Sequence, residues 1–244
     1  AQEDPRWWRA VNPGDPRTVE LAEAVENGIT SALTQVRATP AASGVTSLPE
    51  TTNTPWRVFI TNEQANAWLN VRLERWLADQ TEQGAIDFRW PHEVKQVQVS
   101  FEDGRIHVGA RVVRPGATPE VQPRPQTLGA SLRPEFGSDG SLWLTAERIE
   151  IGRLPVPASW VLGSARSGKP SAGEKKVEEV SDELARLPQT QKVIAAFKGE
   201  RPVISRPVIK LADGRRVRLL SIQPQDGRLV ITAQTEVHES TARK

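Results

Sequence analysis

Cysteine, methionine and tyrosine are all missing from this chain of 244 residues. The lack of cysteine excludes disulfides, thiolate metal sites and cysteine nucleophiles. Histidine is scarce: His92, His107 and His238 are far apart, and none has a partner at metal-ligand spacing. His107 alternates with Ile106 and Val108, which predicts a surface or edge position on a strand. No apolar stretch approaches the roughly 18 residues that a membrane span requires. Excess charge of one sign is also absent, since the formal net charge is +2. Nucleic acid is therefore not an expected partner, because phosphate binding needs a clustered basic face. The densest basic run, Arg215-Arg216-Val217-Arg218, alternates like a strand and predicts an exposed strand face.

Catalytic signatures are missing as well. There is no Gly-x-Ser-x-Gly turn. Gly163 to Pro170 nearly matches a phosphate-cradling loop, but Pro170 replaces the Mg²⁺-binding hydroxyl and removes a backbone N–H. Leu154-Pro-Val-Pro157 punctuates the approach where a buried strand should precede such a loop, so a plain loop is expected. The carboxylate pairs Glu102-Asp103 and Glu178-Glu179 fall on turn or solvent faces, with no sign of the burial that tunes an acid. No catalytic residue, metal ligand or cofactor is expected, and the chain reads as a non-enzyme.

What is present describes a globular α+β chain. Hydrophobic content is 37% and charged content 25%, which suits a packed core. Asp15 can cap a helix with Pro16 at its first position. Ala22, Val25, Ile29, Ala32, Leu33 and Val36 recur at helical spacing, predicting a helix over about 16–37. Residues 38–54 read as an exposed linker. Trp56 to Ile60 reads as a strand that runs straight into a helix over 62–80, opened by a Thr61/Gln64 capping box. Ala65, Trp68, Leu69, Leu73, Trp76 and Leu77 form one apolar stripe on that helix, predicting that it is the centre of the core.

Strand signals recur around three Asp-Gly pairs, Asp103-Gly104, Asp139-Gly140 and Asp226-Gly227. Such pairs suit tight hairpin turns whose two central residues need positive φ. Their spacing, 36 and then 87 residues, is irregular, so a meandering antiparallel sheet is expected rather than a repeat array. A Pro-rich loop over 115–126, a Gly/Ser-rich loop over 163–173, a helix over 174–187, a helical piece over 189–197 and a strand over 203–211 complete the reading.

Eight tryptophans stand out. Trp7-Trp8, flanked by Arg6 and Arg9, suits either a membrane interface or packing on the domain. Trp68, Trp76, Trp143 and Trp160 suit either core positions or the lining of an apolar cavity.

The strand Val58 to Ile60 followed by Thr61-Asn-Glu-Gln-Ala-Asn-Ala-Trp-Leu69 resembles the opening of bacterial envelope domains, the YpmS-like proteins and small relatives of the tubular lipid-binding superfamily. Phe101 to Ile106, Leu132 to Phe136, Asp139 to Leu142 and Ile151 to Pro157 are similar to later segments of that group. The resemblance covers about 56–235. It leaves out the first fifty residues and an insertion of about 163–203. It implies a curved antiparallel sheet of hairpins wrapped around an amphipathic helix, here with an additional N-terminal helix, and an apolar slot between them for lipid.

The resulting expectation has three parts along the chain: an N-terminal helix and linker over 1–54, a helix-and-curled-sheet domain over 55–236, and a frayed tail over 237–244. The expected ligand is a lipid or another apolar molecule, held by Trp68, Leu69, Leu73, Trp76 and Leu77 on the helix, with Trp143 and Trp160 on the sheet side. A start at Ala1 suits the loss of a leader or membrane anchor, and hence an extracytoplasmic position at a membrane surface. The alternatives are a structural or protein-interaction domain with a filled core, and an enzyme whose carboxylates meet only on folding.

Overall fold

The polar edge of one strand organises the architecture. A computed structural model describes residues 4–35, 55–84, 90, 93–113, 125–158, 195–211 and 213–236. Its helices are α1 (Pro16–Thr34), α2 (Asn62–Val71) and α3 (Leu73–Glu82). Its strands are β1 (Trp56–Thr61), β2 (Val94–Glu102), β3 (Arg105–Val112), β4 (Gln126–Phe136), β5 (Leu142–Ile151), β6 (Leu154–Pro157), β7 (Val208–Lys210), β8 (Arg216–Gln225) and β9 (Arg228–Glu236). All pairings are antiparallel. One sheet has the order β2-β3-β4-β5-β6 and the other β1-β9-β8-β7. The α+β class, the antiparallel hairpins and the N-terminal helix are as the sequence predicts, with the hairpins divided between two sheets. Bulges at Ser131/Leu132 and Leu219/Ser221 add local bend and twist.

Local chemistry accounts for the helix ends. The Asp15 carboxylate accepts from Arg17 N at the start of α1. The helix stops at Thr34 rather than near residue 37, and Arg215 reaches across the chain to its end. The Arg215 guanidinium donates to Thr34 O (3.0 Å) and Gln35 O (3.4 Å), a cation placed on carbonyls that no helical turn satisfies. So Arg215 is not a bystander on an exposed face, and its neighbour Val217 is buried. The Thr61/Gln64 capping box forms in full at the start of α2. The expected single helix over 62–80 is instead two, broken at Arg72 with φ −116°.

The three Asp-Gly turns differ. Both central residues of Asp103-Gly104 have positive φ (49° and 72°). At Asp226-Gly227 only the glycine does, at 79°. Asp139-Gly140 belongs to a longer loop in which Asp139 Oδ1 accepts from the Ser141 backbone and hydroxyl. The expected strand over 203–211 shrinks to β7 and an isolated bridge between Ile204 and Leu142. Pro202 and Pro207 lack the N–H that a longer ladder needs. The expected linker over 38–54, the helix over 174–187, the phosphate-loop look-alike at 163–170, Trp160, His92 and His238 lie outside the described residues.

Strand β2 is the edge of its sheet, and three asparagines of α2 cover it. Asn66 Nδ2 donates to Val99 O (2.8 Å) while its Oδ1 accepts from Val99 N (2.7 Å). Asn70 pairs the same way with Val97, donating at 2.7 Å and accepting at 3.3 Å. Asn62 Oδ1 accepts from Phe101 N (3.0 Å), and Gly227 N donates to Phe101 O (2.9 Å). Four residues of helix rise about 6 Å, and two residues of strand advance about 6.6 Å. Asparagine every fourth position therefore meets the outward-facing groups of every second strand residue. Asn62 N also donates to Gly227 O (2.9 Å), so the same corner joins the two sheets.

Residues 4–11 form a strap across one face of the five-stranded sheet. Cross-strand partners Gly109 and Gly129 leave a notch for Trp7; a Cβ on Gly109 would lie 2.8 Å from Trp7 Cη2 and 2.9 Å from Leu128 O. Trp7 Nε1 donates to Glu150 Oε2 (2.7 Å), Arg9 N to Gln98 Oε1 (2.8 Å), and Gln96 Nε2 to Val11 O (2.8 Å). Asp4 takes Arg111 (2.7 Å) and the Thr127 hydroxyl. Trp8 is 6% exposed and lies under the Arg111 guanidinium, 5.5 Å from the ring centroid. Of the two readings open for Trp7-Trp8, the structure takes packing on the domain.

The core also differs from expectation. Its buried clusters are Ala130, Leu132, Ala146 and Ala158 on one sheet and Trp56, Val217 and Ala233 on the other. The stripe from Ala65 to Leu77 is not its centre. The buried residues of α2 are Asn66 and Ala67, and α3 has none. The helix is spent on satisfying a strand edge, so its amide row faces inward.

Replacing Asn66 by alanine strands a donor and an acceptor of Val99. We expect a loss of about 2–3 kcal/mol in urea denaturation. Concentration-dependent self-association should appear once the β2 edge is bare.

Candidate functional site

The strap and the asparagine row give the five-stranded sheet an unusual division of faces. Gln98, Ser100, Thr127, Ser131, Gly109 and Gly129 share the face beneath the strap by strand register, and all are buried. The opposite face is apolar. Phe101, Ala130, Leu132, Ala146 and Ile151 on it are buried, whereas Val97, Val99, Val108, Leu128 and Ile149 are half-buried, with Val108 and Ile149 packed against the core cluster. The face thus carries a core cluster and, around it, apolar side chains that are only half-buried.

Helix α2 borders this sheet along β2. Leu69 and Leu73 follow Asn66 and Asn70 by three residues, so they flank the asparagine row, and both are half-buried. Trp68 and Trp76 meet across the helix break, with ring centroids 6.1 Å apart and planes tilted by 60°. Trp68 is half-buried and donates its indole N–H to Glu26 of α1 (3.3 Å). Trp76 is 44% exposed. Leu77 is half-buried. Of the five expected helix residues, Trp68 and Trp76 are in ring contact, and Leu69, Leu73 and Leu77 are half-buried on the same two helices.

Trp143 does not join them. It lies on β5, separated from β2 by β3 and β4. Its register partner is Glu135, its indole N–H donates to Ser141 Oγ (2.8 Å), and it belongs to the sheet face opposite Leu142 and Leu144. His107, expected at a surface or edge, sits on an inner strand. Its Nδ1 is 2.9 Å from Ser131 Oγ, and the Trp7 ring is 5.8 Å away. Apolar spacing alone missed the row Asn62, Asn66 and Asn70. Its signal, one residue type at every fourth position, is visible in the sequence.

Titratable groups with shifted behaviour serve the fold. Glu147 is held below the usual carboxylate range, chiefly by the hydrogen bond from Arg105 (2.6 Å), and Arg133 adds a second ion pair. Arg105 is raised by the same contact. Ser141 lowers Asp139, and Arg215 lowers Asp213, in both cases through side-chain hydrogen bonds first. No cluster of three or more potential metal ligands occurs among the described residues. None of their helices is long and apolar enough to cross a membrane. Comparison with protein families, with characterised proteins and with solved structures finds no match.

Two expectations follow. Trp76→Ala should change stability by less than about 1 kcal/mol, whereas Trp56→Ala, which removes a buried ring bonded to Thr235, should cost about 3–5 kcal/mol; paired urea titrations compare them. For Glu147 the folded-state pKa lies below that of the unfolded chain. Its contribution to stability is therefore full above the unfolded value and is lost as pH falls through the folded one. The gap in melting temperature between wild type and Glu147→Gln should be open near neutrality and close in acid.

Proposed function

We propose that this chain is a non-enzymatic domain that takes up a lipid or another apolar ligand. In this reading the apolar stretch of α2 and α3 and the half-open face of the five-stranded sheet supply the surface. The observation that carries it is the tryptophan pair across the α2–α3 break, with Trp76 44% exposed and no fully buried residue on α3. An exposed indole in a stretch with half-buried leucines offers area and shape, with few polar groups to fix orientation, as apolar ligand sites do. Trp68, Leu69, Leu73, Trp76 and Leu77 would contact the ligand. Trp143 stands apart from these elements, and Trp160 lies outside the described residues. The resemblance to tubular lipid-binding and YpmS-like envelope domains adds an extracytoplasmic setting at a membrane surface, with no nucleic acid, metal or cofactor involved.

A second reading, a protein-interaction domain, draws on a different observation. Phe59 on the edge strand β1 is 64% exposed, and exposed aromatics at a sheet edge suit contact with another chain.

Native mass spectrometry after mild extraction, together with titration of a dansylated undecanoic acid, separates the two. Under the lipid reading, lipid co-purifies and the probe binds. Trp76→Ala then weakens the probe about ten-fold, since burying an aromatic ring is worth roughly 1.5–3 kcal/mol. Neither co-purified lipid nor probe binding would overturn the lipid reading.

A further inference from the structure

The break between α2 and α3 has one contributor within the helix, since Asn70 Nδ2 donates to Asn66 O (2.8 Å) in the turn before it. The sequence from Asn62 to Gln80 contains neither proline nor glycine, and Arg72 and Leu73 are good helix formers. A second set of contacts at the break comes from α1. Arg72 is bound by Glu23 (3.0 Å) and, through Nε, by Glu26 at 3.6 Å. Its Nε is buried and makes no hydrogen bond. The other oxygen of Glu26 accepts the Trp68 indole N–H. One α1 carboxylate thus holds both the residue at the break and the inner tryptophan of the pair. The strap continues this grip, because α1 begins five residues after Val11, where the last strap bond to the sheet is made.

We propose that α1 is a clamp on the α2–α3 break. By holding Arg72 and Trp68 through Glu23 and Glu26, it fixes the angle at which Trp76 meets Trp68, and so couples the apolar stretch to the docking of residues 4–34. The side chains of Glu23 and Glu26 are 53% and 43% exposed, and ion pairs in such settings are weak. That weakness suits a clamp that can be released while the sheets stay folded. Released, Arg72 relaxes from φ −116° toward ordinary helical values, and Trp76 moves relative to Trp68. Glu26 and Arg72 are positioning residues in this scheme. The ligand half of the proposal rests on the lipid reading above; the structural half does not.

The full chain carrying Glu23→Gln and Glu26→Gln tests the structural half without ligand. The expected result is that the backbone carbon shifts of Arg72 move to helical values, and that the Trp68 indole N–H resonance and the Trp68–Trp76 exciton signal both move. Trp7→Ala, which loosens the strap without touching the clamp, should shift the same resonances in the same direction by a smaller amount. Arg72→Glu combined with Glu23→Arg should bring them back. Unmoved Arg72 shifts and an unmoved Trp68 resonance in a folded double variant overturn the clamp. Titration with dansylated undecanoic acid then addresses the coupling, with an expected change in affinity of about five-fold between wild type and the double variant. Equal affinities overturn the coupling. A probe that binds neither protein sinks the lipid reading and leaves the clamp to be judged on the resonances.

Discussion

Val97, Val99 and Phe101 turn their backbone groups away from β3, and everything else in the molecule depends on what meets them. An edge strand with bare donors and acceptors invites pairing with another chain. Here a helix takes the place of a strand. A side-chain amide carries both a donor and an acceptor, so one asparagine can serve the N–H and C=O of one residue; aspartate offers only acceptors, and leucine offers neither. The four-residue step overshoots a helical turn by about 40°, so successive rungs rotate around the helix. The third rung, Asn70 to Val97, already has a 3.3 Å arm, and the helix breaks two residues later. Because Asn62 also bonds Gly227, the corner that ends the row fastens the second sheet to the first.

This arrangement redirects the apolar surface. With amides facing β2, the leucines and tryptophans of α2 and α3 are displaced to the flank and the outside of the helices. The five-stranded sheet shows the same inversion. Its polar face is sealed by an aromatic strap seated on paired glycines, while much of its apolar face is half-open. Surface of that kind has a cost in solubility and persists where something covers it in use. The lipid reading and the interaction reading are two accounts of the cover. The tryptophan pair, with Trp76 exposed, favours the first.

Much of the molecule was legible along the chain. The cap at Asp15, the capping box at Thr61 and Gln64, the strand leading into α2, and the hairpins around Asp-Gly all follow from local chemistry, because the groups concerned lie within a few residues of one another. Legibility failed where the deciding partner was remote. The end of α1 meets Arg215, the residue at the helix break is held by Glu23 and Glu26, and Trp7 is placed by two glycines on different strands. For the candidate site, the helix stripe was visible by periodicity, but periodicity counts apolar residues and passes over a row of asparagines.

Sequence alone determined the element types, their antiparallel order and the apolar stretch that could meet a ligand, since each is encoded by spacing within one segment. Tertiary structure decided which side of α2 turns inward, which sheet face is buried and that Trp143 stands apart from the helix tryptophans. Those outcomes turn on backbone groups left unsatisfied at a strand edge, and such groups exist only once the strands have paired.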